Sequence, residues 1–296
     1  MAVRPVLVIG RTGQMAQALA HVGGTGVVCL GRPDADLKNP SSLAQALDRH
    51  APLSVINAGG FTLVDKAESE PDEARILNVD GPRALALACR ERGVPLIHMS
   101  TDCVFDGELP RAYRSDDATH PICTYGQTKL DGERVVAEMH SDHLIVRVSW
   151  IFSRFGHNFV RTMLSLASTR DEVSVVSDQI GCPTHAPALA AALLDMARQI
   201  SAPGFDAWGT YHLAGQGETD RASLARDIFM SSARHGGSVA AVNDVPTSAY
   251  PTPAKRPLNA RLDMTRTTDV FGIILPPWQD GLEETVPVLI QEIANA

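Results

Sequence analysis

Tyr125 and Lys129 lie four residues apart in the segment Cys123-Thr-Tyr-Gly-Gln-Thr-Lys-Leu-Asp-Gly-Glu133. An α-helix turns once in about 3.6 residues, so both side chains leave one face. A phenol beside an ammonium ionises more readily, because the nearby positive charge favours phenolate. The pair is therefore a proton donor to a carbonyl oxygen near neutral pH, where a free phenol of pKa about 10 is sluggish. The plain alternative is a half-buried tyrosine with a solvated lysine, so the pair needs companions to carry chemistry. Met99-Ser-Thr-Asp102 offers them: a hydroxyl there hydrogen-bonds a substrate carbonyl and holds Tyr125 in place. Ser100 and Thr101 both qualify, and either also suits a turn cap.

Three further segments suit a dinucleotide. Gly10-Arg-Thr-Gly13-Gln-Met-Ala16 follows the first apolar run. Gly10 permits a tight turn, Gly13 lets backbone approach a pyrophosphate, and a small residue at position 16 allows close helix–strand packing. Cys29-Leu-Gly31-Arg32 ends the second run without an acidic residue, and Arg32 suits a ribose 2′-phosphate, as in NADPH. Asp34 and Asp36 nearby keep NADH open, and a surface arginine is the plain alternative. Asn57-Ala-Gly-Gly-Phe61-Thr62 places two glycines where backbone passes over a ligand, or simply forms a tight loop.

The elements that must position these residues follow from apolar periodicity. Short β-branched runs at 6–9, 26–30, 53–57, 95–99 and 143–148 read as strands, and 14–21, 41–50, 73–92 and 125–140 read as helices. Asp72 is placed to cap the third helix and Gly93 to end it. Strands that are apolar throughout and alternate with helices predict an α/β, Rossmann-type doubly wound parallel sheet with ligands at its carboxyl edge. The expected division is a dinucleotide-binding part over residues 1–150 and a smaller, irregular α/β substrate part over 151–296, with later segments free to return to the first. In that second half the pattern predicts helices at 158–168, 186–199, 221–234 and 281–294, and strands at 173–176 and 209–213. Residues 201–208 read as a loop, and 245–257, with four prolines, as an extended connection.

Composition excludes several classes. A net charge of −8 argues against nonspecific nucleic-acid binding. The five cysteines are scattered, with no Cys-x-x-Cys and no zinc spacing, which is the usage of a reduced, cytoplasmic protein. No stretch approaches the roughly 20 apolar residues of a membrane span.

Together the motifs resemble the dTDP-4-dehydrorhamnose reductases, extended short-chain dehydrogenase/reductases. The resemblance is carried by Gly10-x-x-Gly13-Gln, Val64-Asp-Lys-Ala-Glu68, Ser100-Thr-Asp-x-Val-Phe-Asp-Gly107, Tyr125-Gly-x-Thr-Lys-Leu-x-Gly-Glu133, Arg147-x-Ser-Trp150, Asp178-Gln-x-Gly-x-Pro-Thr184 and Tyr250-Pro-Thr-Pro-Ala-x-Arg-Pro-x-Asn259. It implies reduction of the C4 ketone of a dTDP-4-keto-6-deoxysugar, giving dTDP-L-rhamnose, with NADPH or NADH. In that scheme Tyr125 is the general acid, Lys129 lowers its pKa and binds the nicotinamide ribose, and Thr101 completes the triad. Gly13, Gln14 and Met15 line the pyrophosphate, Asp36 and Leu37 the adenine, and Gly60, Phe61 and Thr62 the inner side of the cofactor. Thr101, Asp102 and Trp150 contact the sugar nucleotide, with Arg256 and Asn259 near its nucleotide or supporting that wall. The family also suggests a homodimer.

This sequence departs from the family pattern at Cys103, at Gly59-Gly60-Phe61 and at Phe152, which bears on sugar recognition. Ala18 stands in place of a glutamate that serves a magnesium site in some members, so no metal is expected. Two other readings stay open: another nucleotide-sugar 4-ketoreductase or 4-epimerase, and a catalytically idle subunit similar to the regulatory subunit of methionine adenosyltransferase. A 4,6-dehydratase is disfavoured, because Cys103 stands where its glutamate is expected.

Overall fold

The computed structural model describes residues 4–295. Six strands form one all-parallel sheet in the order Gly209–Leu213, His143–Val148, Leu96–Thr101, Ser54–Asn57, Val6–Ile9, Val27–Leu30. The four central strands are buried at every residue, as expected of apolar runs covered on both faces. One face packs Leu19 of the helix Gln14–Gly23 with Leu193 and Met196 of the helix Ala186–Gln199. The other face packs Leu43, Leu85 and Val136 of the helices Pro40–His50, Gly81–Glu91 and Thr124–Met139. Helix Ala186–Gln199 and strand Gly209–Leu213 thus return to the sheet begun by the first half of the chain.

From Val6–Ile9 the chain moves outward to Val27–Leu30, then crosses back to Ser54–Asn57 on the opposite side. Strand order reverses between Val6–Ile9 and Ser54–Asn57. The crevice beyond their carboxyl ends is where doubly wound sheets bind ligands. Both glycine-containing turns, at Gly10 and at Gly59–Gly60, open there.

A second core belongs to the later half. Helices Phe159–Ala167, Arg221–Arg234 and Trp278–Ala294 enclose two parallel strands, Glu172–Val176 and Ala241–Val245, around Val160, Val173, Ile228 and Leu282. Side-chain caps set two of these helices: Asn158 accepts from the Arg161 amide at 3.2 Å, and Asp220 from the Ser223 amide at 2.8 Å. The strand Ala241–Val245 lies at the edge of the segment expected to be a connection. It is half exposed, so its sequence carries no buried-strand pattern.

The expected helix over 73–92 is broken into Pro71–Arg75, a π-helical segment Ile76–Asp80, and Gly81–Glu91. Asp72 lies inside the first turn and caps nothing. The break has a local cause. Pro82 has no N–H to give the Asn78 carbonyl four residues earlier, so the ladder widens there. A second element then exploits the gap: a Cβ at Gly132 would stand 2.1 Å from the Asn78 carbonyl oxygen, so only glycine lets the helix Thr124–Met139 approach this closely. Gly93 ends the last segment at φ 59°, as expected.

Among the described residues, no helix is long and apolar enough to cross a membrane, and no group of three or more His, Cys, Asp or Glu side chains is placed to hold a metal ion.

Candidate active site

The turn after Val6–Ile9 is shaped by contacts on one side and open space on the other. Gly10 sits at φ 135°, and a Cβ there would press on Ala16 and the Ala58 backbone at 3.4–3.5 Å. A Cβ at Gly13 would meet nothing within 4 Å, so the space before the helix Gln14–Gly23 is clear. The first amides of that helix lack intrahelical partners and point into this space, which suits a phosphate. Gln14 bridges the two halves: its Nε2 donates to the Ile151 carbonyl at 3.3 Å and its Oε1 accepts from Ser153 at 2.8 Å. Met15 is buried in the sheet face, so only its backbone is available to the crevice. At the second strand's end Arg32 is exposed, while neighbouring Arg11 is paired with Asp34 at 2.6 Å. Asp36 accepts from the Lys38 amide at 3.0 Å, and Leu37 is buried beside Gly59 and Gly81.

The loop after Ser54–Asn57 is held by Asn78. Its Oδ1 accepts from the Phe61 amide at 2.8 Å, and its Nδ2 donates to the Phe61 carbonyl at 3.1 Å and the Thr128 hydroxyl at 3.0 Å. A Cβ at Gly60 would meet Asn78 Oδ1 at 2.8 Å, so this glycine is required by the anchor itself. Thr62 is exposed beside it. Asn78 was not among the sequence-based candidates. The available signal was an asparagine four residues before a proline inside a helical pattern.

The end of strand Leu96–Thr101 meets the helix Thr124–Met139. Thr101 Oγ1 donates to Asp102 Oδ1 at 2.9 Å and accepts from the Cys103 amide at 3.2 Å. Ser149 donates to the other Asp102 oxygen at 2.9 Å. Burial raises the Asp102 carboxyl above the usual range, against the pull of these hydroxyls and of the Arg221 charge. Thr101, rather than Ser100, faces the Tyr125 phenol: Ser100 donates instead to Glu133. Glu133 also takes Arg147 in a buried two-pronged pair, at 2.9 and 2.7 Å. That pair fastens the helix to strand His143–Val148.

Burial dominates the titration of both Tyr125 and Lys129. Burial pushes the phenol well above its ordinary value, Cys103 and Asp102 add to this, and the Thr101 hydroxyl opposes it. The Lys129 Nζ donates to the Met99 carbonyl at 2.7 Å. Burial brings the Lys129 ammonium down to about 8, with Glu133 holding it up. Helical spacing put both groups on one face, while the strand beneath decided where the ammonium points.

A cavity of about 510 Å³ opens against the second core, lined by Trp150, Phe159, Gln179, Arg221, Tyr250 and Arg256 among others, and the Arg221 on its wall lies within charge range of Asp102. Its size falls within the about 300–1,000 Å³ typical of small-molecule sites. Trp150 adopts φ 44°, a conformation disfavoured for a side-chain-bearing residue, and a Cβ at Gly181 would strike its ring at 2.5 Å. The Arg221 guanidinium lies 3.5 Å from the Trp150 ring centroid. Arg256 pairs with Asp65 at 2.9 Å and so ties the proline-rich segment to the helix Val64–Ser69. Asn259, expected near the nucleotide or in support of that wall, has its side chain engaged within the protein. Its Nδ2 donates to the Leu109 and Arg111 carbonyls and its Oδ1 accepts from the Arg261 amide and Nε, so every hydrogen-bonding position is engaged within the protein. It shapes the loop behind the wall instead of facing a ligand. Arg221, Ser149 and Glu133 were missed as functional candidates, because their partners lie far away in sequence.

Comparison with known proteins shows the family. A family model described as "RmlD substrate binding domain" matches residues 4–290. A dTDP-4-dehydrorhamnose reductase of Sinorhizobium fredii is 43% identical over 98% of this chain and 99% of its own. The crystal structure of dTDP-4-dehydrorhamnose reductase from Bacillus anthracis in complex with NADP superposes with a TM-score of 0.88 at 30% identity, covering 96% of this chain and 99% of that one. The crystal structure of a dTDP-4-dehydrorhamnose reductase from Clostridium acetobutylicum gives the same TM-score at 32% identity, with the same coverage of both chains. The chain belongs to the dTDP-4-dehydrorhamnose reductase family of oxidoreductases.

Proposed function

We propose that this protein reduces the C4 ketone of dTDP-4-dehydro-L-rhamnose to dTDP-L-rhamnose, with Tyr125 as the proton donor and NADPH preferred over NADH. The observation that carries the reading is the junction of the strand end bearing Thr101 with the helix bearing Tyr125 and Lys129, closed by Lys129 Nζ on the Met99 carbonyl at 2.7 Å, on the sheet whose switch point opens the crevice. The crevice fits a dinucleotide: clear space at Gly13, free amides at a helix N-terminus, and a Gly-Gly-Phe loop pinned by Asn78. Arg32, exposed and close to the second strand's end, suits a 2′-phosphate, in line with the NADP bound by the Bacillus anthracis relative.

When bound, the nicotinamide supplies the hydride. The protein's part is to place and protonate the ketone oxygen. As negative charge develops there, Tyr125 donates its proton; an alkoxide is a stronger base than phenolate, so a phenol raised by burial still gives it up. Thr101, turned from Asp102 to the same oxygen, donates a second hydrogen bond. Ser149 keeps Asp102 oriented meanwhile. Lys129, at the carbonyl of Met99, is placed to take ribose hydroxyls as acceptors. Trp150 walls the sugar on the far side.

Incubating the purified protein with dTDP-4-dehydro-L-rhamnose and each reduced cofactor, and following absorbance at the reduced nicotinamide band, tests this directly. Stoichiometric loss with formation of dTDP-L-rhamnose is expected. Sugar interconversion without net cofactor consumption would mark an epimerase instead.

A further inference from the structure

Arg221 stands half-buried on the wall of the cavity. Its guanidinium carbon lies 3.5 Å from the Trp150 ring centroid and 5.1 Å from that of Phe159, yet no protein acceptor takes a hydrogen bond from it among the described residues. Arg256, lining the same cavity, differs: it is occupied by Asp65 and the Ala254 carbonyl. Arginine offers five N–H donors in one plane, and none of those of Arg221 is taken by a protein acceptor among the described residues. Contact with the indole holds the guanidinium at the wall of the cavity, which Arg221 lines. The desolvated charge is brought down to about 10 by burial, with Asp102 opposing that fall at longer range.

Resting on the reading of this site as a nucleotide-sugar pocket, we propose that Arg221 is its diphosphate anchor, held in register by Trp150 and binding the β-phosphate of a nucleoside diphosphate. Position supports the assignment. Arg221 lies within charge range of Asp102, next to the reacting end, and 5.1 Å from the Phe159 ring, which lines the same cavity. A diphosphate occupies the middle place in a nucleotide sugar, between the sugar and the nucleoside. A planar, pre-oriented guanidinium is also the side chain best matched to two phosphate oxygens at once.

Titration calorimetry with dTDP and with dTMP, on wild type, Arg221→Gln and Arg221→Lys, tests this without requiring turnover. Wild type is expected to favour dTDP over dTMP. Arg221→Gln should weaken dTDP by roughly 10- to 100-fold, the loss typical of one charge-assisted contact, and bring dTDP and dTMP close together. Arg221→Lys should recover part of the dTDP preference, and NADPH affinity and thermal midpoint should stay near wild type in both. A general loosening of the pocket would weaken both nucleotides equally and leave their ratio unchanged, which would overturn the anchor; so would dTDP affinity within threefold of wild type in Arg221→Gln. Tight dTDP binding without ketone reduction would refute the proposed reaction while leaving the anchor standing.

Discussion

The Lys129 ammonium donates to the Met99 carbonyl oxygen at 2.7 Å, one residue before the strand end that carries Ser100 and Thr101. The contact joins the helix Thr124–Met139 to the sheet at the point where the proposed chemistry occurs. It also places a positive charge in a desolvated position, where it titrates near 8.

The first prediction follows from that titration. Lys129 is charged below about pH 8 and loses its proton as pH rises through that value. If the ammonium binds the cofactor ribose, kcat/KM for NADPH should fall on the alkaline side with an apparent pKa near 8, since kcat/KM reports the free enzyme. Lys129→Met should lower kcat/KM at all pH values and abolish that limb. A limb that persists in the variant assigns it to another group. The stability sign is opposite: between about 8 and 10.5 the folded lysine is neutral while the unfolded one keeps its proton, so stability from this group rises with pH.

Tyr125→Phe removes the proposed proton and little volume. Turnover should drop by roughly 10²- to 10⁴-fold, the usual worth of a general acid. Cofactor affinity, read by fluorescence titration, should stay within about twofold. Full activity in this variant would remove Tyr125 from the mechanism.

Asn78→Ala leaves the Phe61 amide and carbonyl without their partner. Each orphaned buried group costs about 1–3 kcal/mol, so denaturant unfolding should show a loss on that scale. Cofactor affinity should also fall, because the Gly60–Phe61 loop loses its link to Thr128. An intact affinity with reduced stability would confine Asn78 to the fold.

Glu133 and Arg147 form a buried pair, both side chains 6% exposed. Replacing one partner leaves a stranded charge, and Arg147→Met should cost about 3–5 kcal/mol in equilibrium unfolding. The double change Glu133→Leu with Arg147→Met should recover part of that, as removal of both charges removes the penalty. Additive losses would show that the two act independently.

Much of the sheet was readable because its signals are local. Each central strand is a short apolar run followed by a helix, and the glycine turn at Gly10–Gly13 closes the first of these units within a few residues. The return of Ala186–Gln199 and Gly209–Leu213 to that sheet was not readable: both elements were recognised, but which core a helix joins depends on the complementary face that buries it. The strand Ala241–Val245 was missed because a half-exposed edge strand has no distinctive pattern. Within the site, the position of Asn78 reflects a π-helical segment created jointly by Pro82 and the close approach of Gly132, a combination no single motif announces.

By itself, the order of residues determined the doubly wound alternation, the glycine turn and the placement of Tyr125 and Lys129 on one helical face, all consequences of short-range periodicity. Only the tertiary structure decided that Lys129 turns to Met99, that burial raises the Tyr125 phenol, that Asn259 faces inward and that Arg221 lies on Trp150. These depend on which distant surfaces meet and how much water is excluded between them. A helix period carries neither.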